Sequence, residues 1–156
     1  MTIPALFRTG PLSFIGLALF ATAWRPAAAP RVIHIVANEY AFIAPEVTPA
    51  GPTTFTLENR GMKFHEVLIG LMRPGAGPAQ VVAAHQQGAG FRVLSQYYLE
   101  GDAGGAIFAS PGNTSIVSLT VDLQRGRSYV LLCQLRDSVG AMQHAALGMF
   151  RILRVE

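Results

Sequence analysis

SYVLLCQLRDSVGAMQHAALGMFRILRVE, residues 128–156, carries the reading of the fold. SYVLLCQL (128–135) is nearly all apolar, so it sits centrally in a sheet. A loop spans 136–146, and GMFRILRVE (148–156) closes the stretch as a final strand. The chain's only cysteine, Cys133, ends the first of these strands. His144 lies eleven residues on, across the loop, and Met149 five beyond it, at the start of the last strand.

Working outward, most of the chain reads the same way. RVIHIVA (31–37) is rich in β-branched residues, and EYAFIAP (39–45) continues it until Pro45. A turn at Pro49-Ala50-Gly51-Pro52 leads into TTFTLEN (53–59). There Phe55 and Leu57 face one way and Thr54, Thr56 and Glu58 the other. After Asn59-Arg60-Gly61, FHEVLIGL (64–71) is an apolar strand with His65 on the face of Val67 and Ile69. NTSIVSLTVDL (113–123) predicts Val117, Leu119, Val121 and Leu123 facing in, with Ser118, Thr120 and Asp122 facing out. The expected architecture is all-β: a Greek-key β-sandwich of about seven to eight short strands.

Residues 73–112 interrupt the pattern with eight glycines and three prolines. PAQVVAAHQQG (78–88) predicts a helix with Pro78 in its first turn and Gly88 at its end. FRVLSQYYLE (91–100) suits helix or strand. The segment is too short for a core of its own and reads as a short helical insertion within one domain, 31–156.

The 156 residues are 51% apolar and 13% charged, enough for a packed core and too apolar for a disordered chain. The net charge is +3, and the basic residues form no run or stripe, so nucleic acid is not an expected partner. Arg8 followed by PLSFIGLALFATAW (11–24) and small residues predicts a secretory leader, 1–23, with cleavage as late as residue 29. The apolar run is too short to span a bilayer, so no stable membrane span is expected once the leader is cut. The expected location is exported, periplasmic or extracellular. In that setting a lone cysteine is either buried and inert or holds something.

Singly, the residues around Cys133 have ordinary readings. A buried cysteine behaves as a small hydrophobe; His65 is a core histidine, His144 a loop residue and Met149 core filler. Together they are two imidazoles, one thiolate and one thioether, the ligand set of a mononuclear blue-copper site. Thiolate binds copper in both oxidation states, imidazole suits Cu(II), and a weak axial thioether keeps the geometry between the two preferences. Three of the four lie in one strand–loop–strand unit, and the fourth on an earlier strand. Glu66 alternates away from His65's face and is a further oxygen ligand only if the strand bulges there. Met142, mid-loop, is an alternative thioether. His34 and His85 are expected at the surface. The acidic residues show no paired spacing for acid–base work, and no nucleophile motif is present, so an enzyme is not expected.

These motifs, NEYAF with Pro45, PAGPTTFTLENRG, FHEVLIG and RGRSYVLLCQLRDSVGAMQHAALGMFRILRV, resemble the cupredoxins, the blue type-1 copper proteins. The resemblance runs from about Asn38 to Val155. It is greatest to a bacterial exported branch with an insertion after the first His and a long Cys-to-His loop; HAALGM is similar to that branch's tail. It implies one copper per chain at His65, Cys133, His144 and Met149, and one-electron transfer to a redox partner docking on Ala145, Ala146 and Leu147 around His144. Two features depart from the family pattern. The second His usually follows the Cys much more closely, and many members carry Asn, not Glu, after the first His, where it ties the two ligand loops together. Other classes stay open on the residues: a Cu(I) carrier or chaperone with a copper donor or acceptor as partner, for which Met62, Met142 and Met149 suit a soft ion, and a metal-free interaction domain.

Overall fold

A computed structural model describes residues 29–88, 96–97 and 105–156. The expected leader and most of 91–100 lie outside them. Two sheets pack face to face. The first has the order β2-β1-β4-β7, from Ala41–Ile43, Arg31–Asn38, Gly51–Asn59 and Leu119–Leu123. The second has the order β3-β9-β8-β5-β6, from Val47–Thr48, Phe150–Val155, Ser128–Leu132, His65–Leu71 and Gly105–Ala109. Pairing is antiparallel except for β1 with β4 and β3 with β9.

The two-residue period of the sequence becomes the core. Ile33, Ile35, Phe55 and Leu57 of the first sheet meet Val67, Ile69, Tyr129, Leu131 and Leu153 of the second. β8 is apolar on both faces because both are covered, and it lies between β9 and β5, as its composition predicts. Its outer-facing Val130 and Leu132 pack with Leu68, Ala145, Phe150 and Ile152. The helix α1 (Pro78–Gln86) has Pro at its N-terminus as expected, and packs against the short 3-10 helix His144–Leu147. Among the described residues, no helix is long and apolar enough to cross a membrane.

Three expectations fail for local reasons. Val117 does not face in: it is 59% exposed, and β7 begins only at Leu119. Ser115 takes over the pairing with β4, its N–H donating to the Leu57 carbonyl while its hydroxyl accepts the Leu57 N–H. A side chain in place of a carbonyl ends the regular ladder there. His85 is not a surface residue; it is 2% exposed and stacks on Phe150, because α1 turns that face onto the outer side of β9. β6, inside the segment read as a helical insertion, is a strand: its two core residues, Ile107 and Ala109, are too few to stand out among the surrounding glycines.

Phe55→Ala is expected to lower the unfolding free energy by about 3–5 kcal/mol, as for a fully buried aromatic, whereas Val117→Thr should change it by less than about 0.5 kcal/mol. Urea denaturation of the two variants measures both.

Candidate metal centre

The ends of four chain segments meet at one edge of the sandwich. His65 is the first residue of β5, Cys133 directly follows β8, His144 opens the 3-10 helix and Met149 directly precedes β9. Backbone hydrogen bonds knot the last three together. The Cys133 N–H donates to the Met149 carbonyl (3.1 Å), the Ala145 N–H to the Cys133 carbonyl (2.8 Å) and the Met149 N–H to the His144 carbonyl (2.9 Å). Gly148 makes the reversal possible at φ +113°, a conformation that L side chains rarely adopt.

The donor atoms of His65, Cys133 and His144 all lie within 4.8 Å of one another, and all three side chains are buried. The two Nδ1 atoms are 3.2 Å apart, and the Cys133 sulfur is 3.4 Å from His144 Nδ1. Met149 is fully buried in the same core cluster as Cys133. Met142 is half exposed on the loop, beside Gly88 and Arg136.

Glu66 is not turned toward the donors. β5 pairs with β6 in regular register, His65 with Ala109 and Glu66 with Phe108, without a bulge. The Glu66 carboxylate instead accepts the backbone N–H of Gln134 at 2.9 Å. The residue after His65 thus ties the start of β5 to the segment that follows Cys133.

The electrostatics favour a neutral thiol at Cys133 and a neutral ring at His65. Burial pushes the Cys133 thiol from 9.0 up to about 11, although the backbone N–H groups of Glu66 and Leu135 bond to it and pull the other way. Burial, then the nearby His144 ring, lowers the His65 pKa. His65 Nε2 is buried and has no hydrogen-bond partner among the described residues. Two imidazole nitrogens and a thiol, facing one another out of contact with water, are a poor hydrogen-bonding set but a good ligand set. Two His and one Cys with a thioether nearby suit copper in either oxidation state.

Supporting residues absent from the sequence reading surround the donors. Buried Asn59 holds the turn before His65: its amide donates to the carbonyls of Lys63 (2.7 Å) and Ala109 (2.9 Å) and accepts the Gly61 N–H (2.9 Å). A Cβ on Gly61 would stand 2.6 Å from the Glu39 carboxylate and 3.2 Å from His65 Nε2, so a larger residue there would have to displace the carboxylate and press on the imidazole. Glu39 accepts the Met62 N–H. On the other side, Asp137 lies 3.2 Å from His144 Nε2 and accepts the Tyr40 hydroxyl at 2.5 Å. Only the turn signal of Asn59-Arg60-Gly61 hinted at any of these roles. The expected docking face around His144 is partly closed: His144 and Ala145 are buried, and Leu147 is half exposed. Met62 and Phe64, just before His65, and Val139 and Met142 in the Cys-to-His loop are exposed apolar residues.

No protein-family model matches the chain, and no curated protein matches it by sequence. Solved structures do. Auracyanin from the photosynthetic bacterium Roseiflexus castenholzii, in its dithionite-reduced form, superposes with a TM-score of 0.52 at 20% identity, over 82% of this chain and 98% of that one. Auracyanin B superposes with a TM-score of 0.50 at 18% identity, over 82% and 91%. The fold is the cupredoxin fold, as the sequence motifs imply, and its His-Cys-His group fits a type-1 site.

Two outcomes test this arrangement without metal. Glu66→Ala leaves the Gln134 N–H without its acceptor and should cost about 1–3 kcal/mol, with Glu66→Gln costing less because it keeps a carbonyl; urea denaturation measures both. A thiol held protonated in the fold contributes stability below pH 9.0, lost as pH rises toward about 11. The wild type should therefore lose about 2–3 kcal/mol more than Cys133→Ser across that interval, read from paired unfolding curves.

Proposed function

We propose that this chain is an exported mononuclear copper protein that passes single electrons between redox partners, with His65, Cys133, His144 and Met149 as its ligands. The observation that carries the proposal is the convergence of two imidazole nitrogens and one thiol sulfur, from three buried residues, within 4.8 Å. When bound, copper would supply the one-electron couple.

The chain's own residues do the rest. Cys133 gives up its proton on binding, because a metal takes thiolate and not thiol. The N–H groups of Glu66 and Leu135 that bond its sulfur would hold the thiolate in place and withdraw electron density from it. His65 and His144 bring neutral Nδ1 lone pairs. The links among Cys133, Ala145, His144 and Met149, with the Glu66 tie to Gln134, keep the donors from moving apart. Such a frame changes little when an electron arrives or leaves, which speeds transfer. Burial excludes water, so nothing besides protein atoms competes for the site. Met149, from its position before β9, would add a weak thioether to the set. The apolar Met62 and Phe64 beside His65, with Lys63 between them, suit a transient redox partner better than a permanent one. The leader-like N-terminus supports export.

One equivalent of Cu(II) added to the metal-free protein should give an intense visible thiolate-to-copper band, absent in Cys133→Ser. Met149→Leu should keep the band and raise the reduction potential, because losing the thioether would weaken Cu(II) more than Cu(I). Colourless copper retention in the wild type would instead favour a Cu(I) carrier. No retention would sink the copper reading.

A further inference from the structure

The eleven-residue gap between Cys133 and His144 has a use. The loop folds on itself: Arg136 and Gln143 form an isolated antiparallel bridge, and the Arg136 guanidinium donates to the Ala141 carbonyl. Asp137 then stands beside His144, with one carboxylate oxygen 3.2 Å from Nε2. Its other oxygen accepts the Tyr40 hydroxyl at 2.5 Å and lies 3.6 Å from the Lys63 ammonium. Tyr40 also sets its ring edge-on to His144, centroids 5.1 Å apart. Tyr40 reaches this place with φ +55°, unusual for a bulky residue and found where surrounding contacts enforce it. Three separate segments thus converge on one imidazole edge: the β1–β2 turn, the turn before β5 and the Cys-to-His loop.

We propose that Asp137 is a positioning residue for this centre: it takes the Nε2–H of His144 and so holds the ring with its Nδ1 lone pair turned toward Cys133 and His65 before any metal arrives. A neutral imidazole has one N–H to place. At Nε2 it meets a carboxylate, and a bond to an ionised acceptor is roughly twice as strong as a neutral one. At Nδ1 it would meet only the thiol sulfur and the other imidazole, leaving the Nε2 lone pair against the carboxylate. The carboxylate therefore selects the tautomer that a metal needs. Tyr40 and Lys63 select the carboxylate's orientation in turn. The extra loop residues deliver this group, and His144 as a whole is 1% exposed.

The proposal rests on the copper reading for its consequence, but its first test does not. Long-range proton–nitrogen NMR of the metal-free, full-length protein reports the His144 tautomer directly. The wild type and Asp137→Asn, whose amide carbonyl can still accept, should show Nε2–H. Asp137→Ala should show a mixture, and Tyr40→Phe a smaller loss of preference. In chelator competition for Cu(I), Asp137→Ala should bind roughly 10–100-fold more weakly, with Asp137→Asn recovering most of the loss. A wild-type ring protonated at Nδ1 overturns the proposal without any variant, which matters should Asp137→Ala fail to fold. An Asp137→Ala ring still locked at Nε2–H, or one that is scrambled with unchanged copper affinity, overturns it as well. A ring locked by Asp137 in a protein that retains no copper would instead refute the copper reading and leave the positioning role standing.

Discussion

The backbone link from Cys133 to Met149 is the constraint on which the centre depends. It is the first pairing beyond the end of the β8–β9 ladder, and it fixes both residues as they leave their strands. Between them the chain travels through a long loop and one turn of 3-10 helix, yet returns to within a single hydrogen bond. His144 hangs from the same knot through its carbonyl, which accepts the Met149 N–H. Cys133 and Met149 are thereby positioned by strand pairing, and His144 by its link to Met149. His65 joins because β5 is the neighbour of β8 on the other side. The sheet order places the donors, and the core beneath keeps the sheet in order.

Much of this was legible in the sequence because the relevant signals are periodic or chemically rare. His65 could be placed on the inner face by counting two residues from Val67. Cys133, His144 and Met149 stood out as scarce residue types flanking two strands. What could not be read depended on contacts between distant segments. Asn59 is one more turn residue until the carbonyls of Lys63 and Ala109 are seen around it. Asp137 is one more loop acid until Tyr40, almost a hundred residues earlier, is found bonded to it. Val117 continued a perfect alternation, but the Ser115 hydroxyl displaced the strand beneath it. His85 looked polar on a short surface helix, whereas the helix lies over a second apolar face that no local pattern announces.

Glu66 shows how a carboxylate can sit beside a cluster of donor atoms and serve only as a structural link. A carboxylate beside a cationic ligand site invites the idea of an extra donor. Strand geometry forbids it, since adjacent side chains leave the sheet on opposite faces. The group turns outward and still performs the linking task, because an amide N–H needs only an acceptor and a carboxylate supplies one. The negative charge it brings lies close enough to raise the Cys133 pKa slightly, offset by the two N–H bonds to the sulfur.

The parallel pairing of β3 with β9 and the antiparallel pairing of β9 with β8 differ in how much chain each one closes. Val47 lies opposite Arg154 and Thr48 opposite Val155, so this contact closes a loop of more than a hundred residues. Contacts so far apart in sequence form slowly, because the entropy of closing the loop is lost before the contact repays it. The Cys133–Met149 link, by contrast, closes fewer than twenty residues within the local β8–β9 pair, and in the folded chain the thiol is fully enclosed. A sulfenic acid or a mixed disulfide on Cys133 therefore requires the β8–β9 pair to open locally, and release of β3 alone does not expose the sulfur.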